Sequence, residues 1–405
     1  MLAVAVLLWG SGLTAQTPAD TLARRQQRTL DSLAAAMRAL QGRVDSLARP
    51  HTDTSAGDDL AALRAAAAAA APDSGGASAP RQARLGQNAL NPEISATGDV
   101  RASVLRPGPQ TDPFNAHEFE FSFQSALDPY SATKIFLSIA NGEIDVEEGY
   151  AYYAGLPGHF RLDIGKFRQQ IGELNRWHGH ALPEGELPLA HRVYLGDEGL
   201  ASTGVSVYWP LPFSGGRAGT YELYAQATRG SNDSLFAGGS RPSWLSQLSG
   251  FFQFSRSTYA QVSVTGLYGT NPDTSLKTAV GVVAARFSWR PPNAGTRRNF
   301  TLRGEWFALR RRFAGVGPTR HGGYVDATVQ LSQRWIAGVR GDYVELPGAG
   351  NFHETEIVPT LTYWQSEFVY LRGQLTHHRD ALGRDSERIQ LQAVWAMGPH
   401  KHEIF

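Results

Sequence analysis

Residues 117–124 read His-Glu-Phe-Glu-Phe-Ser-Phe-Gln, and this period of two in polarity is what most restricts how the chain can fold. Phe119, Phe121 and Phe123 fall on one parity and Glu118, Glu120, Ser122 and Gln124 on the other. Successive side chains of a strand point to opposite faces, so the segment predicts a strand with one apolar and one hydrophilic face. The pattern recurs. Val262, Val264 and Tyr268 oppose Gln261, Ser263 and Thr265; Val369, Leu371 and Leu375 oppose Arg372, Gln374 and Thr376; Ile389, Leu391, Ala393, Trp395 and Met397 oppose Arg388, Gln390 and Gln392. Such faces suit a soluble two-sheet sandwich, or a barrel whose outer wall meets lipid and whose interior is wet.

The spacing of the strands separates these settings. Strands are expected at 94–105, 117–127, 133–140, 146–154, 160–168, 204–211, 221–229, 249–255, 259–269, 278–289, 300–310, 324–331, 335–345, 354–364, 369–377 and 388–397. Even-to-odd connections are mostly short (128–132, 155–159, 256–258, 332–334, 365–368), whereas odd-to-even ones are often longer (106–116, 169–203, 230–248, 311–323, 346–353). The stretches 212–220, 290–299 and 141–145 break that rule. Short turns at one rim and long loops at the other belong to transmembrane barrels, and a sandwich has no reason to keep them. Aromatics near strand ends agree with interfacial girdles: Tyr152, Tyr153, Tyr208, Trp209, Phe287, Trp289, Trp306, Phe307, Trp335, Tyr363, Trp364 and Trp395. The expected fold class is therefore all-β, a transmembrane antiparallel β-barrel of about sixteen strands preceded by a short helical coiled coil.

Four segments are expected: a signal peptide at 1–16, a coiled-coil helix at 17–50, a low-complexity linker at 51–89 and an outer-membrane barrel at 90–405. The first rests on the apolar run 2–9 followed by small residues. In the second, Leu30, Leu33, Met37, Leu40, Val44 and Leu47 recur at gaps of three and four, a seam that favours assembly with copies of itself, here as a homotrimer. A single amphipathic helix lying on the barrel is the alternative. The linker is rich in Ala, Ser, Gly, Pro and Asp, with too little apolar surface for a core.

A formal net charge of +1 supplies no field for nucleic acid, so no nucleic-acid partner is expected. The absence of cysteine excludes disulfides, thiolate metal sites and a cysteine nucleophile. By parity, Arg101, Glu118, Glu120, Lys166, Arg286, Arg303, Glu305, Arg340, Asp342 and Arg372 are expected to line the lumen. The third long-side connection, 169–203, far exceeds the length needed to join two strands, and structured loops of that length are usually functional. Folded into the lumen, its Glu173, Arg176, His178, His180, Glu184, Glu186, Arg192, Asp197 and Glu198 would form a charged constriction; packed over the mouth, the loop would be a lid. His178-x-His180 and His400-x-His402 are weak metal candidates, since no third ligand is fixed by spacing. No metal and no cofactor are therefore expected. His377 and His378, as strand neighbours, should face opposite ways. Catalysis has no motif behind it: neither Gly-x-Ser-x-Gly on a strand-to-helix elbow nor His-Glu-x-x-His occurs, and isolated residues such as Thr376, His378 or Ser263 are ordinary for a barrel interior.

Asn91-Pro92-Glu93-Ile94-Ser95, Val146-Glu147-Glu148-Gly149-Tyr150, Gly165-Lys166-Phe167-Arg168, His178-Gly179-His180-Ala181-Leu182-Pro183, Leu195-Gly196-Asp197-Glu198-Gly199-Leu200 and the closing His402-Glu403-Ile404-Phe405 resemble a group of porin-like outer-membrane proteins. The likeness is strongest over 91–212, and the N-terminal coiled coil is similar to that of some anion-selective porins. The resemblance implies a barrel in the outer membrane of a Gram-negative bacterium, with the coiled coil in the periplasm, and brings no established substrate. One departure is that Gly398 and Pro399 interrupt the last strand ahead of the terminal Phe405. The expected function is a porin-like channel for passive diffusion of small hydrophilic or charged solutes, in contact with outer-membrane lipid. The alternative is a structural or binding barrel tethered to periplasmic material, without an open pore.

Overall fold

The computed structural model describes residues 92–398, except 109–112, 141, 213–218, 237–240, 271–276, 294–296, 312–316 and 349. The expected signal peptide, coiled coil and linker lie outside the described residues, as do His400 and His402.

Sixteen strands form one closed antiparallel barrel, each paired with its neighbours in sequence and β1 with β16. They are β1 (Glu93–Arg106), β2 (Phe114–Ala126), β3 (Ser131–Ala140), β4 (Glu143–Tyr153), β5 (Arg161–Arg168), β6 (Ala201–Pro210), β7 (Thr220–Arg229) and β8 (Pro242–Gln253). The second half comprises β9 (Thr258–Thr270), β10 (Lys277–Trp289), β11 (Phe300–Arg311), β12 (Thr319–Gln330), β13 (Trp335–Glu345), β14 (His353–Trp364), β15 (Val369–Arg379) and β16 (Asp385–Met397). Two short helices, α1 (Leu189–Leu195) and α2 (Asp233–Phe236), lie in connections. The seam closes from Ala96 opposite Met397 to Arg106 opposite Glu387, so closure is complete before Gly398, where φ is +83° and the strand stops.

The alternation places side chains as expected. On β2, Phe119 is exposed while Glu118 and Glu120 are buried; on β16, Ile389, Leu391 and Trp395 point out while Gln390 and Gln392 point in. A strand of 12 residues, rising ~3.3 Å per residue and tilted by about 40°, spans roughly 30 Å along the barrel axis, the thickness of a hydrocarbon core. Rings cluster near the turn rim, with Tyr130 against Tyr153, Phe251 against Tyr259 and Trp335 against Tyr363 at centroid separations of 6.3, 5.5 and 4.9 Å. Phe307, expected in a girdle beside Trp306, instead points inward and is fully buried.

Two boundaries differ from expectation. β8 starts at Pro242 and β12 at Thr319, so the connections before them shrink to 230–241 and 312–318. Proline is tolerated as the first residue of a strand, and Gly322-Gly323 is strand although it reads as loop. The contrast between the rims thus rests chiefly on 169–200 and 230–241.

The interior is not uniformly hydrophilic. On β8 to β13 the inward residues nearer the loop rim are apolar: Leu245, Leu267, Val280, Val282, Phe307, Leu309 and Val344 pack with Ile171, Leu189, Ala190, Tyr194, Leu195, Leu200, Leu235 and Phe236. The hydrophobic core of this barrel therefore lies inside it, between the wall and the two loops that carry α1 and α2.

Candidate functional site

The connection 169–200 folds into the lumen, and the alternative of a lid over the mouth is set aside by its hydrogen bonds to inward residues around the wall. On β7 and β8, Gln169 Nε2 donates to Thr228 Oγ1 (2.9 Å), the Gln170 amide to Gln226 Oε1 (3.0 Å), and Gln247 Nε2 to the Gly172 carbonyl (3.0 Å). On β15, the Gly185 amide donates to Gln374 Oε1 (2.9 Å), Tyr370 Oη to the His180 carbonyl (2.6 Å) and Arg372 to the Leu182 carbonyl (2.9 Å). Inside the loop, Asn175 joins the two ends by donating to the Gln169 and Leu200 carbonyls and accepting from the Leu200 amide at 2.6 Å.

Glu305 on β11 is the main anchor. Its Oε1 accepts from the Glu173 and Leu174 amides (3.0 Å each) and from Tyr324 Oη (2.9 Å), while Oε2 lies 3.4 Å from His191 Nε2 on α1. Both side chains of that pair are fully buried. The chain passes so close at Gly172, where φ is +63°, that a Cβ would lie 1.7 Å from Glu305 Oε2; a side chain there would strain the backbone and push the Glu305 carboxylate aside.

A second group joins β13 and β14 to the loop. Arg340 Nε donates to Asp342 (2.8 Å), and its terminal nitrogens meet Glu184 (3.2 Å), the Glu186 carbonyl (2.9 Å) and Glu356 (3.7 Å). Arg192 on α1 donates to both Glu356 oxygens at 2.7 and 2.6 Å. Glu186 also pairs with Arg388 on β16. A third group sits on β10 to β12, where Glu173 takes Arg286 (2.7 Å) and Arg303 (3.3 Å), and Arg303 also meets Asp326 at 3.4 Å. A fourth lies on the opposite wall. His178 Nδ1 is 2.7 Å from Glu120 Oε2 and 3.0 Å from Glu147 Oε2, with Arg168 on Glu147 at 2.6 Å.

The structure thus gathers Glu118, Glu120, Arg286, Arg303, Glu305, Arg340, Asp342 and Arg372 on the inner wall, with Arg101 held by Asp99 at 2.7 Å. Lys166 is a correction. It shares its parity with the exposed Ile164 and meets Asp145 at 3.2 Å near the loop rim, where the two side chains are 33 % and 60 % exposed. Among the loop candidates, Glu173, His178, His180, Glu184, Glu186 and Arg192 face the wall groups just described, and Arg176 bonds Gln170. Asp197 and Glu198 are exposed and line the outer part of a cavity.

Sequence reasoning missed Glu147, Asp326 and Glu356. The last two follow from extending the parity of β12 and β14. Glu147 does not, because the β3–β4 pairing shifts register between Phe136 and Leu137 and leaves Glu147 an extra residue on β4; a bulge of this kind is invisible to period-two reading. His377 and His378 face opposite ways, His377 exposed and His378 3.2 Å from Glu356.

Two cavities border the loop. One of about 400 Å³ lies on the β1–β5 side, with Arg101, Glu118, Glu147, Arg168, Glu186, Asp197 and Arg388 in its lining. The other, of about 40 Å³, lies on the β7–β10 side and is lined by Glu173, Arg176, Tyr224, Gln247, Gln261 and Arg286. Trp177 borders both, with the Arg303 guanidinium 4.9 Å from its ring centroid.

The solved structures that this closed sixteen-stranded barrel resembles are outer-membrane porins, and the chain has their barrel fold. It is similar to OmpT, an outer membrane protein of Vibrio cholerae (TM-score 0.53, 8 % identity, 77 % of this chain and 99 % of that one). It is similar also to OprB of Pseudomonas putida (0.53, 8 %, 77 % and 95 %) and to the outer membrane channel DcaP of Acinetobacter baumannii (0.51, 11 %, 76 % and 97 %). No family model matches the chain. One uncharacterized protein of Aquifex aeolicus is 38 % identical over 102 residues, which cover 25 % of this chain and 22 % of that protein.

Proposed function

We propose that this protein is an outer-membrane channel of a Gram-negative bacterium, through which small hydrophilic or charged solutes diffuse passively. One observation carries the reading: an apolar outer wall of membrane height encloses charged and amide side chains together with a folded loop that leaves a cavity of about 400 Å³. An interior of fixed Arg, Glu and Gln groups replaces part of the hydration of an entering ion, and the loop sets the size limit. Trp177, in the lining of the larger cavity, narrows that path from the loop side. The fold shared with OprB and DcaP supports the reading, and a conduit of this kind requires neither cofactor nor turnover.

The coiled-coil segment 17–50 would sit in the periplasm and hold three barrels together; OmpT of Vibrio cholerae has been solved in a trimer form. Deleting residues 21–47 is then expected to abolish trimer crosslinking while leaving the barrel folded, and persistence of the trimer would remove that role. A second reading, a barrel that binds without conducting, is favoured by the apolar packing of the loop against β8 to β13. Trp177→Ala separates the two readings: the channel reading expects larger single-channel steps, the binding reading unchanged silence.

A further inference from the structure

We propose that Glu120, Glu147 and His178, with His180 as a fourth donor, form a divalent metal site, suited to zinc, that fastens the inserted loop to the β2–β4 wall. The reading does not depend on the pore being open. The donors come from three separate pieces of chain: Glu120 from β2, Glu147 from the bulge of β4, and the imidazoles from a 3₁₀ turn at Gly179–Ala181. One oxygen of each carboxylate and a nitrogen of His178 lie within 4.8 Å of one another. Nδ1 of His178 is 2.7 Å from Glu120 Oε2 and 3.0 Å from Glu147 Oε2, and Nδ1 of His180 is 3.8 Å from the same Glu120 oxygen. Tetrahedral zinc held at 2.0–2.2 Å spaces its donors by about 3.4 Å, so the His178 separations of 2.7 and 3.0 Å need only sub-ångström shifts, while His180, outside the 4.8 Å group, has to swing in as the fourth donor.

A second observation points to a cation independently of that spacing. Glu120 is 2 % exposed, yet its Oε2 has no hydrogen-bond partner among the described residues, although an imidazole nitrogen stands 2.7 Å away. A buried carboxylate oxygen without a hydrogen bond is costly, and a cation held between it and the imidazole would satisfy both. Glu118 places a third carboxyl group beside Glu147 and Glu120, and Arg168 pairs with Glu147 at 2.6 Å. Phe136 packs on His178 with centroids 4.6 Å apart and the rings tilted by 34°, which restrains the imidazole. Two imidazoles with two carboxylates suit Zn²⁺ better than Ca²⁺ or Mg²⁺, which prefer oxygen alone. The cavity of about 400 Å³ reaches Glu118, Glu147 and Gly179 and provides a way in.

The test uses the full chain, folded in detergent, stripped with EDTA and titrated with zinc sulfate, with elemental analysis of the desalted protein. One zinc per chain is expected, and Glu120→Gln and His178→Ala should each weaken binding at least tenfold, while His377→Ala, which alters the outward histidine, should change nothing. Cobalt(II) loading gives a second readout that needs no variant: a visible ligand-field band of a four-coordinate N/O site is expected. Trace zinc only, or a folded His178→Ala barrel that binds as the parent does, overturns the proposal. Absence of the cobalt band overturns it even if the variants fail to fold.

Discussion

At the scale of single residues, the inserted loop depends on a few positions with no tolerance. Gly172 combines a left-handed backbone with the close approach of Glu305. Gly172→Ala is expected to cost about 1–3 kcal/mol of loop attachment, read as new protease cleavage between 173 and 198 in a barrel that still migrates as folded. An unchanged digestion pattern would count against the close contact. Asp128, in the β2–β3 turn, accepts from the Tyr130 and Ser131 amides at 2.7 and 2.9 Å, and from the Ser131 hydroxyl. Those bonds, the Ser131 hydroxyl first, hold its carboxyl below the usual 3.8. Its contribution to the turn is therefore present above pH ~4 and is lost as pH falls through the lowered value. A carboxyl titration by NMR should place it below 3.8, and a value at or above that would refute the turn geometry. Glu120, His178 and His180 were legible as candidates from parity and spacing, whereas the ligand that completes their set, Glu147, was hidden by a bulge.

At the scale of elements, the strands were readable because each has one face toward an apolar and one toward a polar surrounding, and all sixteen appear where the alternation placed them, most within three residues at either end. Reading failed where that contrast vanishes. On the first half of β10, Val280 and Val282 face inward against α1 and α2 while Val283 faces out, so polarity alone does not show which side is which. The loop, read from composition as a charged insert, is attached as much by Leu189, Tyr194 and Leu195 as by its charges. Arg340 is the test of the charged part. It is 1 % exposed and touches Asp342, Glu184 and Glu356, so Arg340→Ala leaves buried carboxylates unpaired and should cost about 3–5 kcal/mol. Thermal unfolding in detergent measures this; replacement by Met, which removes charge but retains volume, should behave no better, since the acids remain. A loss below about 1 kcal/mol would show that the group is hydrated rather than buried.

At the scale of the whole molecule, the register closes the sheet without an edge strand, so the backbone of the wall is paired from strand to strand around the ring apart from local bulges, as crossing lipid with strands requires. The greasy side chains on the outside, which would aggregate in water, are matched by lipid. Inside, the loop divides the lumen unevenly, with open volume toward β1–β5 and apolar packing toward β8–β13. That asymmetry could not be read from the sequence, because it depends on which wall residues the loop meets across separations of more than a hundred positions, as between Leu174 and Glu305. Solutes are therefore expected to pass on the β1–β5 side, beside Arg101, Glu186 and Arg388. Single-channel recording of the purified, folded protein in planar lipid bilayers tests the central claim most directly. Discrete conductance steps that grow when Trp177 is replaced by Ala are predicted; a protein that inserts as a folded barrel yet stays silent, with and without that substitution, would contradict it.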